Sequence, residues 1–307
     1  MRPTIRGVSV VALALAAGAC GGQASPSPRS ADGANPCVAV PRDLAAPGPY
    51  AVGRASTRLA RRSAVGGRRR VDPTVWYPAP SPRPGCRFPL ILFSHGHNGS
   101  AAVCARLCAH LAGMGFVVLA PRHPDRRTRP TAQGAERVED LLFLLDHLPA
   151  VWKRLAPGVA GRVDGRAIGV AGHSFGGRTA AELASQDPRV KAVMTMAGGA
   201  DRASTALIRA PTLMVAGGAD TVGPVRLSEE SARALPRTTP HALLVVAGAE
   251  HGALVDGCAA ARLCPLVGRV AAALFITYLA HRRGASAPLD PARVHDARLR
   301  LTTVGMP

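Results

Sequence analysis

The sequence predicts an α/β fold: a mostly parallel central sheet with helices on both faces. Two observations predict it. Short β-like runs alternate with helical patterns along most of the chain, the signature of strands that are covered on both sides. The chain has 307 residues, 47% of them hydrophobic, enough to bury the core of one enzyme-sized domain. In chain order the expected strands are 71–77, 89–94, 116–120, 167–172, 190–196, 212–216 and 242–246. Between and after them the helical spacing predicts helices at 100–113, 134–155, 176–185, 226–235 and 266–282. The apolar part of the last, 270–280, is far shorter than a membrane span, so a packed terminal helix is expected. No internal repeat is visible.

The N-terminus reads differently. Arg2 and Arg6 precede the apolar run VSVVALALAA at 8–17, too short to span a bilayer but suited to a secretory signal over residues 1–19. AGACGG at 17–22 is similar to a bacterial lipobox, which makes Cys20 a candidate lipidated first residue and the membrane a partner through that anchor; plain secretion is the alternative. Residues 20–36 are rich in Gly, Ser, Pro and Ala and read as a flexible spacer. The folded domain is expected over 37–285, with 286–307 as a C-terminal tail.

The formal charge of +19 is almost wholly arginine, Lys153 and Lys191 being the only lysines. With sparse aromatics and no nucleic-acid module, it reads as a solvated basic surface, and no nucleic-acid partner is expected. Leaving Cys20 aside, six cysteines remain: Cys37, Cys86, Cys104, Cys108, Cys258 and Cys264. An even count suits an oxidising compartment, and proximity in sequence suggests Cys37 with Cys86 and Cys258 with Cys264. No paired C-x2-C spacing exists, and His95 and His97 lack a partner carboxylate, so no metal site is expected.

The chemistry centres on GVAGHSFGG at 169–177. In a Gly-x-Ser-x-Gly elbow the serine occupies a strained strand-to-helix turn, and the glycines exist because side chains there would collide with neighbouring backbone. Here the serine is Ser174 and the glycines are Gly172 and Gly176, between a β-run and the amphipathic stretch that follows. A serine hydroxyl needs a base and an orienting carboxylate, which follow such an elbow in the order acid, then histidine. PTLMVAGGAD ends at Asp220 and LLVVAGAEH ends at His251, each just after a β-run, where groups collect at the carboxyl ends of strands. Asp201 also follows a β-run, but Arg202 beside it offers an exposed ion pair. The backbone N–H groups of Phe175 and of His97, in LILFSHGHNG, are the expected oxyanion donors. His123 is expected near the same cleft, in a structural or a substrate-contacting role.

GPYAVGRAS, VDPTVWYPAP, FPLILFSHGHNG, GHSFGG, GADTVGP and GAEHGAL together resemble the α/β-hydrolase superfamily. Within it they are similar to the branch of platelet-activating-factor acetylhydrolases, chlorophyllases, dienelactone-hydrolase-like proteins and cutinase-type polyester hydrolases. The resemblance covers about 48–280. It implies an α/β-hydrolase fold, Ser174, Asp220 and His251 in the triad roles, and oxyanion N–H groups from His97 and Phe175. It also implies hydrolysis of carboxylic esters without a cofactor. The segment 121–135 is short and Arg-rich, so no large lid is expected. The sequence therefore reads as a secreted serine esterase acting on a small or lipid-like ester. The alternatives are an acyltransferase or peptidase with the same triad, or a silent binding protein, against which the intact Ser, Asp and His argue.

Overall fold

The structure is a computed structural model that describes residues 33–79, 85–156, 159–255 and 263–307. The candidate leader, Cys20 and most of the spacer lie outside the described residues.

Eleven strands are described in chain order: β1 (Val52–Ser56), β2 (Ala60–Arg62), β3 (Arg68–Arg70), β4 (Asp72–Pro78), β5 (Phe88–Ser94), β6 (Val117–Arg122), β7 (Val163–His173), β8 (Val190–Met196), β9 (Thr212–Gly217), β10 (His241–Val246) and β11 (Leu299–Val304). The helices are α1 (Ala105–Gly113), α2 (Gln133–Asp146), α3 (Leu148–Leu155), α4 (Phe175–Gln186), α5 (Arg202–Leu207), α6 (Val225–Ala234) and α7 (Leu263–Leu279). Nine strands form one sheet in the order β1-β4-β6-β5-β7-β8-β9-β10-β11. The six from β6 to β10 run parallel, β4 beside β6 and β11 at the far edge run against them, and β1 pairs antiparallel with β4.

The two faces of the sheet follow from alternation along each strand. Ile91 and Phe93 of β5 pack with α1 and α7, through Leu107, Leu111, Val270 and Phe275. Phe88, Leu90 and Leu92 enter the opposite core with α2, α3 and α4, through Leu141, Leu144, Trp152 and Leu183. Strands covered on both sides account for the fully buried runs of β5, β9 and β10. At Gly169 of β7 a Cβ would lie 2.7 Å from the Phe275 ring, so α7 packs directly on the strand that leads to Ser174.

The architecture and the absence of a large lid over the described residues match the sequence reading. Four details do not. The helix expected over 134–155 is two helices, because the chain turns at His147 and Pro149 starts α3. Residues 286–307, expected as a tail, carry β11, which hydrogen-bonds along β10 and buries Leu301. Near the N-terminus, β1 adds an edge strand, and the small hairpin β2–β3 lies outside the main sheet. The backbone is already docked before Cys37, where Asn35 N–H donates to the Ala280 carbonyl at 2.9 Å.

Cys37 and Cys86 form a disulfide, tying the start of the domain to the entry of β5. Cys264 is also disulfide-bonded, while Cys258 lies outside the described residues. Cys104 and Cys108 are free and buried at the start of α1, and burial raises the Cys108 thiol pKa above its usual value.

Candidate active site

The turn between β7 and α4 holds Ser174 at φ 55° and ψ −125°, a left-handed backbone conformation that costs energy for a residue with a side chain. Crowding sets the flanking residues. A Cβ at Gly172 would lie 2.1 Å from the Gly176 carbonyl oxygen, and one at Gly176 would lie 2.0 Å from that of Ser94. Both positions therefore require glycine. Ser174 N–H donates to the Met196 carbonyl at 2.8 Å, fixing the turn to β8.

Two further strand ends supply the partners. His251, in a short turn after β10, accepts the Ser174 Oγ hydrogen bond on Nε2 at 2.9 Å. Its Nδ1–H donates to Asp220 Oδ2 at 2.8 Å. Asp220, after β9, has a fully buried carboxylate whose Oδ1 accepts from the N–H groups of Val222 at 2.9 Å and Gly223 at 2.7 Å. Three acceptor contacts fix this carboxylate, and a carboxylate on Nδ1 leaves the lone pair of the neutral ring on Nε2, facing the serine.

Asp201 is elsewhere. It is exposed and caps α5, accepting from Ser204 N at 3.0 Å and Ser204 Oγ at 2.8 Å. This cap, rather than the suggested pairing with Arg202, accounts for an aspartate at the end of that loop.

The loop after β5 lies against Ser174: a Cβ at Gly96 would lie 3.5 Å from Ser174 Cβ. The His97 and Phe175 rings meet edge to face with centroids 6.0 Å apart. Phe175 N–H is at the N-terminus of α4, where backbone N–H groups are free to bind an anion.

Several residues that hold this loop were not singled out from the sequence. Arg137, fully buried on α2, donates to the carbonyls of His95 at 2.6 Å and Gly96 at 3.0 Å. It also pairs with Asp125, and its guanidinium lies 4.7 Å from the centroid of the Phe175 ring. Asp125 in turn accepts from Asn98 N–H at 2.9 Å. Burial pushes the Asp125 carboxyl up, but its bonds to Arg137 and Asn98 outweigh this and hold it below its usual value. One arginine and its carboxylate thus fix the backbone on both sides of His97.

His123, left open between two roles, is structural. It is fully buried, its Nδ1–H donates to Asp140 at 2.8 Å, and its Nε2 accepts from Ser94 Oγ at 3.1 Å. Asp140 also binds Arg61 at 2.8 Å and Arg69 at 2.7 Å, which moors the β2–β3 hairpin to α2. His173 is the other residue missed: its Nε2 hydrogen-bonds the His251 carbonyl at 2.8 Å, holding the turn that carries His251. In the sequence it stood only as the variable position before Ser174.

The fold, the elbow and the hydrogen-bonded Ser, His and Asp at the ends of β7, β10 and β9 define a serine hydrolase of the α/β-hydrolase fold. Comparison with known proteins narrows this. Residues 24–265 match the family model described as PET hydrolase-like, and the chain belongs to that family. It is 29% identical to cutinase 1 of Thermobifida cellulosilytica over 208 residues, 67% of this chain and 73% of the relative. It is 30% identical to a cutinase of Thermobifida fusca (strain YX) over 208 residues, 67% of this chain and 64% of the relative. To the bis(hydroxyethyl) terephthalate hydrolase of Streptomyces coelicolor it is 30% identical over 261 residues, 81% of this chain and 78% of the relative.

Proposed function

We propose that the protein is an exported serine esterase that works through an acyl-enzyme on Ser174. The observation that carries this is the unbroken chain Ser174 Oγ, His251 Nε2, His251 Nδ1, Asp220 Oδ2, at 2.9 and 2.8 Å. Ser174 Oγ attacks the ester carbonyl carbon as its proton passes to His251 Nε2. The resulting oxyanion is held by the N–H groups of His97 and Phe175. His251 then gives its proton to the leaving alkoxide, the C–O bond breaks, and the acyl group stays on Ser174. Water, deprotonated by the same nitrogen, attacks the acyl-enzyme and returns the serine. Asp220 holds His251 in the tautomer this cycle needs and stabilises the imidazolium in between.

The relatives named as cutinases and as a bis(hydroxyethyl) terephthalate hydrolase support esters of aliphatic or aromatic acids as substrates. Export rests on the leader at 1–19, and anchoring on Cys20 ahead of the 20–36 spacer.

The test is labelling of the folded protein with a fluorophosphonate, followed by hydrolysis of p-nitrophenyl esters of graded chain length. Covalent label on Ser174 and turnover abolished by Ser174→Ala are expected; label on another residue with turnover intact would overturn the assignment. Anchoring is read separately: detergent partitioning of the exported protein should be lost in Cys20→Ser.

A further inference from the structure

Beside the oxyanion loop lies a half-open groove of about 990 Å³ that contains none of Ser174, Asp220 and His251. One wall is formed by Asn98, Gly99 and Ser100; the others are the β2–β3 hairpin and the segment after β6. Six exposed arginines line it: Arg68, Arg70, Arg122, Arg126, Arg127 and Arg129. Of these only Arg70 has an acidic partner among the described residues, namely Asp72. The other carboxylate in the lining, Asp125, is already committed to Arg137. The groove therefore carries a concentrated, uncompensated positive charge next to the reacting centre.

Its walls are fixed from behind. In the triplet Arg68-Arg69-Arg70 of β3, alternation buries Arg69 against Asp140 and Thr128 and leaves its two neighbours exposed. Arg61 on β2 bonds the same carboxylate and also Glu136. Thr128 accepts from Arg69 and donates to the Pro124 carbonyl, so the hairpin and the 122–129 segment are held together. Those side chains alternate as well: His123, Asp125 and Thr128 are buried, while Arg122, Arg126, Arg127 and Arg129 are exposed.

Register gives the distance to the nucleophile. Leu119 of β6 and Val170 of β7 both pair with Leu92 of β5. Arg122 lies three residues beyond Leu119, and Ser174 four beyond Val170, so the two stand almost level and two strands apart. At the usual strand spacing this is about 10 Å between backbones.

We propose that this groove is an anion-binding subsite of the esterase, and that it takes the free carboxylate of a dicarboxylic acid half-ester while the ester carbonyl sits over Ser174. Arginine forks match a carboxylate through paired N–H donors and hold their charge at all working pH values. The first hydrolysis of a neutral diester leaves such a half-ester, so the subsite equips the enzyme for the second. Across the second cleavage the balance is simple: half-ester and water give the diacid and an alcohol.

The inference rests on Ser174 being the nucleophile, and the experiment separates the two. The purified protein is assayed on a p-nitrophenyl half-ester of a dicarboxylic acid and on the methyl-capped neutral ester of the same length, at low and high salt. At low salt kcat/KM is expected to be about tenfold or more higher for the anionic ester, with the advantage shrinking as salt rises. The double variant Arg122→Gln/Arg126→Gln should lose this advantage and keep its rate on the neutral ester. A ratio near one in the wild type, or an advantage that survives in the variant, overturns the subsite. No turnover of either ester would instead overturn the nucleophile assignment. Binding to anionic vesicles that the double variant loses, with the ester ratio near one, would make the groove a lipid-facing surface and also overturn it.

Discussion

The two sides of the site are built differently. The side from β7, β9 and β10 is a single file of three residues: Ser174 touches His251, His251 touches Asp220, and His251 is about a quarter exposed. The side from β5, β6 and α2 is a buried mesh in which Arg137, Asp125, His123, Asp140, Arg61 and Arg69 each make two or more polar contacts. In the proposed mechanism the file passes a proton, and the line from Ser174 Oγ through His251 to Asp220 Oδ2 has one bond at each step. The mesh moves nothing; it holds the backbone around His97 and the arginine groove in place. Damage to the file should therefore appear in turnover with the fold intact, and damage to the mesh in both stability and turnover.

The largest expected effect is in the file. Ser174→Ala should lower turnover by about six powers of ten, leaving only what binding and oxyanion donors supply. Its melting temperature should stay close to that of the wild type, because alanine keeps the Cβ and so leaves the strained positive-φ elbow as it is. Asp220→Asn comes next, at about four powers of ten, because the amide favours the wrong tautomer of His251. Asp201→Asn is the matched comparison: it should leave turnover within about twofold, since asparagine is also a good helix cap. A crippled Asp201→Asn beside an active Asp220→Asn would move the acid to the end of β8.

The mesh is sharpened by two substitutions at one position. Arg137→Met removes the guanidinium and leaves Asp125 buried without its partner, which should cost about 3–5 kcal/mol of stability in a urea melt. Arg137→Lys keeps the charge, but a compact ammonium with three donors cannot reproduce the fork's four bonds to Asp125, His95 and Gly96. It should fold, and on a neutral ester it should lose about tenfold to a hundredfold in kcat with little change in KM, because the oxyanion donors are met only in the transition state. A KM effect with unchanged kcat would mean that Arg137 shapes substrate binding instead.

The same contrast explains what the sequence could reveal. Ser174, Asp220 and His251 are legible because each sits at the end of an apolar run in a local pattern with chemical meaning, and Gly172 and Gly176 mark the crowded turn. The strands of the parallel sheet are legible for a similar reason, being buried on both faces. The mesh is not legible. Arg61, Arg69, Arg137 and Asp140 look like ordinary surface charges in an arginine-rich chain, and only folding brings residues 71 to 79 apart in sequence into contact. Composition suggested a diffuse basic surface, whereas register gathers six of those arginines into one groove. β11 escaped notice because its alternation, LRLTTV, is that of an edge strand with one face open, unlike the apolar runs before it.

The smallest expected effect is a pH dependence that the mesh imposes. His95 is buried behind the loop that carries His97, and both its ring nitrogens are committed in the neutral form: Nδ1–H donates to the Gly96 carbonyl at 2.7 Å, while Nε2 accepts from His123 N–H at 3.1 Å. A second proton would face that N–H donor. Burial first, then the charges of His123 and Arg137, push its pKa down to about 3, and burial also lowers His123. In the unfolded chain these rings take up protons near pH 6.5. At His95 the unfolded state therefore binds more protons than the native state between about pH 6.5 and 3, and stability falls as pH drops through that window. For His95 the slope approaches about 1.4 kcal/mol per pH unit inside that window. Asp125, Glu136 and Asp140 have native pKa values below their usual ones, so their contribution is present above about pH 4 and is lost only as pH falls further. Between pH 6 and 5 these carboxylates are ionised in both states, so the loss there comes from the buried histidines. Urea midpoints at pH 7, 6, 5 and 4.5 should fall steadily in the wild type, and His95→Gln, which keeps an acceptor and a donor but cannot titrate, should fall less steeply. Parallel lines for the two proteins would show that His95 is not a source of the acid sensitivity.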